Sequence, residues 1–376
     1  MTWICLKSSL QTGRENENSF QRLYIRVNQQ NDDTKLGFQL QFIGLSGFAN
    51  GEGTLDNENP HFQKYVAAVV AAIRYGYDCC NFNRDAVDII AMSHPDHLGP
   101  TIYDWQDKAG VRRSYTGDAG YVVTAAKTVP HRAEDGRVQS SIVMNAVLLG
   151  ALVEVIAAET PFEDWDADTQ LCLYIMAHEL GHAHDNAVRL HLSEDEIDLQ
   201  NEEDWVAISR HYAGVLTSEF LACYYSAPVV TEKLQNHMIA EWHSQAEEVI
   251  RSLLNAKRNL SANISLLAAH NLWFVIVEYA KLVGHSCGNP SFPRPALWEH
   301  ADSDEQELFD AIEQVLTTHL APKSDAEGHL PISQVAGSDV EQFVFENLYP
   351  LWQRLCRSYG IYLEDEPDDE NTEATT

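Results

Sequence analysis

His178-Glu179-Leu180-Gly181-His182 is the segment of this 376-residue chain best equipped for chemistry. Helical residues four apart share a face, so both imidazoles can reach one metal ion. Glu179 stands about 100° round such a helix from His178, where it can polarise a metal-bound water without ligating the ion. Zinc lowers the pKa of such a water towards ~7, and a carboxylate then removes its proton as it attacks a peptide carbonyl. His178 and His182 are therefore expected as ligands of Zn2+ and Glu179 as the base. Gly181 costs the helix about 1 kcal/mol relative to alanine, which points to close packing there.

A zinc site of this kind needs a third protein ligand. Asp185 shares the helical face, seven residues after His178. Seven residues rise about 10.5 Å, too far for one ion ~2 Å from each donor, so Asp185 is expected as a supporting or surface group. Glu219 fits better. It lies in Ala213–Ala227 among Val215, Leu216, Phe220 and Leu221. A carboxylate buried on an apolar helix is costly unless paired or metal-bound. The acidic run Glu194–Asp204 holds rival carboxylates, in polar surroundings that read as a solvated face. His211, Tyr224 and Tyr225 are available to stabilise a developing oxyanion, and each also reads as an ordinary packing or surface residue. A Gly at 185 and a His at 188 would extend the motif in the metzincin manner; the chain has Asp185 and Val188, which excludes that class.

The pentapeptide followed by a glutamate on a second helix resembles the gluzincin branch of the zincin metallopeptidases. The segment from Ser218 through Glu219, Ala222 and Cys223 to Pro228 is similar to the Glu-x-x-Ala…Pro segment of ImmA/IrrE-type peptidases, intracellular proteins linked to the cleavage or control of repressors. The resemblance covers residues 120–230. It implies a zincin-like catalytic core, zinc held by His178, His182 and Glu219, and Glu179 as base. It also implies that Ser141–Leu149 is the edge strand along which a peptide lies. Two features depart from the pattern. The thermolysin-like aspartate four residues after the ligand glutamate is Cys223 here, and no helix-turn-helix region is evident.

A second motif competes. Val87–Gly99 ends in Met92-Ser93-His94-Pro95-Asp96-His97, which looks like the HxHxDH loop of metallo-β-lactamase-fold hydrolases. Met92 stands where the first histidine belongs, which weakens a zinc site there. The favoured reading of this segment is a proline-containing turn after a strand. Cys79 and Cys80 read as a buried pair of small residues.

The elements that must position these groups change character along the chain. Phe20–Asn28 and Leu36–Ile43 read as an antiparallel hairpin with one wet face, Gln39 and Gln41 alternating with Leu40 and Phe42. Ser46–Pro60 reads as a loop, His61–Tyr75 as a helix, and Val87–Met92, Tyr121–Ala126 and Ser141–Leu149 as strands. From there helices dominate. Asp166 or Asp168 caps the helix bearing the two histidines, and Ser193–Glu203 opens another. Further helices are expected at His211–Ser226, Glu232–Asn255, Ser261–Val283, Ser303–His319 and Ser338–Tyr359. The expected class is α+β. The expected division is an N-terminal β-hairpin region (1–59), a zincin-like core (60–288), a helical region (289–363) and a disordered acidic tail (364–376).

Composition narrows the function. Lys and Arg number 25 against 56 Asp and Glu, a net charge of −31. A surface this acidic repels phosphate backbones and anionic lipid, so neither nucleic acid nor a membrane is an expected partner. Seven scattered cysteines, an odd number without a CxxC pair, suit a reducing compartment. No signal-peptide pattern is evident. The apolar stretch Leu266–Val283 is interrupted by His270, Asn271, Glu278 and Lys281, so it reads as a buried helix. The expectation is a cytoplasmic zinc metallopeptidase acting on a protein or peptide. The alternatives are a metallo-β-lactamase-like hydrolase around His94, Asp96 and His97, or a catalytically silent zincin-derived sensor or interaction protein.

Overall fold

The computed structural model describes residues 22–26, 38–49, 55–56, 58–110, 125–189, 205–259, 262–297, 301, 303–321, 337–359 and 361. Five strands form one mixed sheet: β1 (Arg22–Arg26), β2 (Gln39–Ile43), β3 (Val87–Ser93), β4 (Ala126–Arg132) and β5 (Val138–Asn145), in the order β1-β2-β3-β5-β4. β2, β3 and β5 run parallel, while the two outer strands are antiparallel to their neighbours. Helices follow, and the fold is α+β. Both strands of the 1–59 region belong to this sheet, and one buried apolar cluster runs from Phe38 to Ile361.

Parallel strands need crossovers, and helices supply them. α1 (Pro60–Cys80) carries the chain from β2 to β3. The Asn59 side chain caps it by accepting from the His61 amide at 2.9 Å, and Pro60 opens its first turn. After β3, His94 caps α2 (Pro95–Ala109): its Nδ1 accepts from the Asp96 amide at 3.3 Å. α1 and α4 (Ala167–Arg189) lie on one face of the sheet, with Leu40, Phe42, Ile90, Met92, Ile142 and Met144 beneath them. α2 covers the other, where Leu98, Ile102 and Trp105 pack on Ile43, Ala91 and Val143.

Three expectations change. The hairpin has no wet face at β2: Gln41 is buried, because α2 closes that side. The strand expected at Ser141–Leu149 runs from Val138 to Asn145 and lies inside the sheet, paired on both sides. The terminal strand on that side of the sheet is β4, which includes Pro130, a residue without an N–H and suited to an edge. Finally, the chain turns after Asn145 into a short helix, α3 (Gly150–Ala157), which the apolar run had masked.

The helical half is built around α5 (Trp205–Ser226). α4, α7 (Ala262–Gly288) and α9 (Gly337–Ser358) all pack against it, α6 (Glu232–Asn259) lies along α7, and α8 (Ser303–Val315) joins α7 and α9. Tyr212 of α5 stacks on Trp273 of α7 at 5.6 Å, and Trp273 stacks on Trp352 of α9 at 5.3 Å. No helix among the described residues is long and apolar enough to cross a membrane. Ser193–Glu203, the whole rival acidic run Glu194–Asp204, and the tail at 364–376 lie outside the described residues.

Candidate metal centre

Asp166 starts the helix that carries the histidines, accepting from the Thr169 amide at 2.7 Å. Twelve residues into α4, His178 and His182 fall on one face, their Nε2 atoms 3.0 Å apart. Glu219 reaches them from α5. Its Oε2 is 3.2 Å from His178 Nε2 and its Oε1 is 3.5 Å from His182 Nε2. Three donors each ~2.0–2.2 Å from one ion at tetrahedral angles are spaced about 3.3–3.6 Å, close to what these side chains adopt. Among the described residues they are the one group of three or more His, Cys, Asp or Glu whose ligand atoms converge within 4.8 Å. Two imidazole nitrogens and one carboxylate oxygen fit a divalent transition metal.

The electrostatics suit a ligand set. Burial alone would raise the Glu219 carboxyl, but Lys281 and the two histidines outweigh it and hold the group well below the usual carboxylate range. Burial opposes protonation of His182, yet Glu219 in contact, with Glu179 and Asp185 further off, leaves its pKa above the ordinary value. Lys281 comes from α7, with Nζ 3.4 Å from Glu219 Oε2 and 2.7 Å from Glu278 Oε1. Burial would lower the lysine; Glu219 and Glu278 raise it instead and keep the ammonium charged.

Glu179 stands beside the ligands but outside their set. Its carboxylate accepts from Thr128 Oγ1 of β4 at 2.6 Å, so the terminal strand and the expected base are joined directly. Ser218 Oγ lies 3.1 Å from His182 Nδ1. Behind His178, Tyr174 Oη lies 3.1 Å from its Nδ1, 2.7 Å from His285 Nε2 of α7 and 3.2 Å from Cys223 Sγ. Cys223 occupies the place of the thermolysin-like aspartate. Its thiol, 3.6 Å from His178 Nδ1, is kept protonated by burial.

The structure thus brings together His178, His182, Glu219 and Glu179. His211, Tyr224 and Tyr225 are each open to two readings, oxyanion donor or ordinary packing residue. His211 lies eight residues up α5, about 12 Å along the axis from Glu219. Tyr225 packs edge-on against His184, and Tyr224 packs against Tyr225 and Phe220. Asp185 is fully buried and forms a double contact with Arg189, which also lies 3.7 Å from Glu341 of α9; it is no surface group. His94 caps α2 and contacts Asp96 at 3.4 Å, with the His97 ring 6.2 Å from its own; no third ligand converges on them among the described residues. Sequence reasoning missed Tyr174, Thr128 and His285. Lys281 and Glu278 had shown themselves only as polar interruptions of an apolar helix.

Comparison of the chain with protein-family models, with curated proteins and with solved structures gives no match.

Proposed function

We propose that the chain is a zinc-dependent metallopeptidase of the gluzincin kind. The observation that supports this best is the convergence of His178, His182 and Glu219 with a fourth group, Glu179, beside the donors and outside their set. Zinc held there supplies Lewis-acid activation of a water nucleophile and of the scissile carbonyl. Glu179 takes the proton of the attacking water and delivers it to the leaving amine. Thr128 holds one oxygen of Glu179, leaving the other for the proton. A peptide substrate lies along β4 in this reading, because β4 orients Glu179 and has no second strand partner among the described residues. The cysteines at 79, 80, 172, 223, 287 and 356 are all unpaired, which supports a reducing, intracellular setting.

The test is metal content and peptide hydrolysis of wild type, His178→Ala and Glu179→Gln. The reading expects about one zinc per wild-type chain, a sharp loss in His178→Ala, and full metal with no hydrolysis in Glu179→Gln. Zinc lost equally from both variants overturns the assigned roles. Zinc bound with no hydrolysis by the wild type favours the catalytically silent alternative.

A further inference from the structure

A histidine can ligate a cation through Nε2 only when that nitrogen carries a lone pair, so the ring's proton must sit on Nδ1. At His178 the nearest atom to Nδ1 is the Tyr174 oxygen, 3.1 Å away and one helical turn earlier on α4, with Cys223 Sγ farther off at 3.6 Å. A phenol has one proton to give. If Tyr174 gives it to His178 Nδ1, the His178 proton is forced onto Nε2, against His182 and Glu219, and the site is closed to a cation. If Tyr174 gives it elsewhere, its oxygen is free to accept from His178 Nδ1–H. The nearest alternative acceptor is His285 Nε2 at 2.7 Å, shorter than either the His178 or the Cys223 contact.

We propose that Tyr174 and His285 are positioning residues that set the tautomer and ring orientation of His178, a role that rests on the metal-site reading above. Proton donation runs from His178 Nδ1 to the Tyr174 oxygen, and from the Tyr174 hydroxyl to His285 Nε2. His285 must be neutral to accept, and burial, with His178 and Lys281 adding to it, pushes its pKa down to about 3. Its place on α7 is fixed from below: a Cβ on Gly284 would lie 2.5 Å from the Phe220 carbonyl oxygen, so α7 meets α5 closely just before His285. His285 is 1% exposed, and its Nδ1 has no hydrogen-bond partner among the described residues. That nitrogen carries the remaining proton in this arrangement. Cys223 cannot replace His285, since a thiol is only a weak acceptor.

Two measurements test this on the full-length protein. The first is imidazole 15N NMR of the metal-free form, assigned by comparison with His178→Ala. The expected result is His178 as the Nδ1–H tautomer, and the Nε2–H tautomer overturns the proposal. The second is zinc affinity by competition with a chromophoric chelator. Tyr174→Phe and His285→Leu are each expected to lose about 10- to 100-fold in affinity. His285→Gln, whose amide oxygen can stand where Nε2 accepts, should stay close to wild type. Wild-type affinity in His285→Leu, or equal losses in His285→Gln and His285→Leu, overturns the relay even if Tyr174→Phe fails to fold. A wild type that binds no zinc through His178 sinks the metal-site reading instead, so the two failures are distinguishable.

Discussion

Gly181 of α4 lies against the backbone of Ala222 on α5: a Cβ at position 181 would stand 2.7 Å from the Ala222 carbonyl oxygen and 3.2 Å from its Cα. This contact, between the two histidines, sets the helix separation that lets Glu219 reach both. Gly181→Ala should gain about 1 kcal/mol in helix propensity and lose about 1–3 kcal/mol to overpacking against a backbone that cannot step aside. The expected outcome is a lower unfolding midpoint with zinc affinity reduced by at least about tenfold, because α5 is pushed away from His178 and His182. Thermal unfolding in chelator and zinc titration measure the two effects separately. Unchanged affinity would mean that the helix spacing does not tune the site.

Asp185 and Glu219 should separate stability from metal binding. The Asp185–Arg189 pair is buried on both sides, with side chains 1% and 2% exposed, so Asp185→Ala strips the buried guanidinium of its double contact and leaves it only the longer 3.7 Å approach to Glu341. Breaking such a pair costs about 3–5 kcal/mol. Glu219→Ala should instead abolish tight zinc binding with a smaller effect on the fold. The check is denaturant midpoint against zinc stoichiometry for both variants. Glu219→Ala binding zinc like wild type would sink the third-ligand assignment.

The sequence made the histidine pair legible because i, i+4 spacing on a helix is local geometry. Glu219 was legible as a carboxylate out of keeping with its apolar neighbours. The groups behind them were not, for a physical reason. Tyr174, Cys223 and His285 sit on three helices and meet only when α5 packs between α4 and α7. The alternation of β2 was visible, but what covers its second face depends on α2, more than fifty residues on. Of the strand expected at Tyr121–Ala126, residues 121–124 lie outside the described residues; β4 runs on from Ala126 through Pro130, where an absent N–H costs nothing at an edge. Sheet order, and with it the exchange of β5 for β4 at the edge, is fixed by non-local pairing that no short window contains.

Thr128 offers a test of the link between β4 and the proposed base. Thr128→Val keeps the shape and removes the hydroxyl that donates to Glu179 at 2.6 Å. A hydrogen bond to a charged group contributes about 1.5–3 kcal/mol, so an orienting role predicts a loss of about 10- to 100-fold in kcat/KM. Zinc content should not change, since Thr128 touches no proposed ligand. Full activity in Thr128→Val would show that Glu179 is held by its helix alone.

Buried and half-buried histidines give the fold a defined response to acid. Burial pushes the pKa of His211 down to about 4, with Lys127 and His270 adding to the effect, so the ring is neutral in the native protein. Unfolded, it titrates near 6.5, and between about pH 6.5 and 4 the unfolded chain binds the extra proton. Stability therefore falls with pH across that window, by an amount on the order of 2 kcal/mol from this residue. His285, His184 and His270 shift the same way. His131 runs the other way: the Asp88 carboxylate 3.1 Å from its Nε2 outweighs burial and raises its pKa, so its contribution is present in acid and lost as pH rises. Denaturant midpoints of wild type and His211→Gln, taken in chelator at about pH 7.5 and about pH 5, isolate the His211 share. The variant should lose distinctly less stability on acidification than wild type. Equal losses would mean that His211 is protonated, or solvated, in the native state.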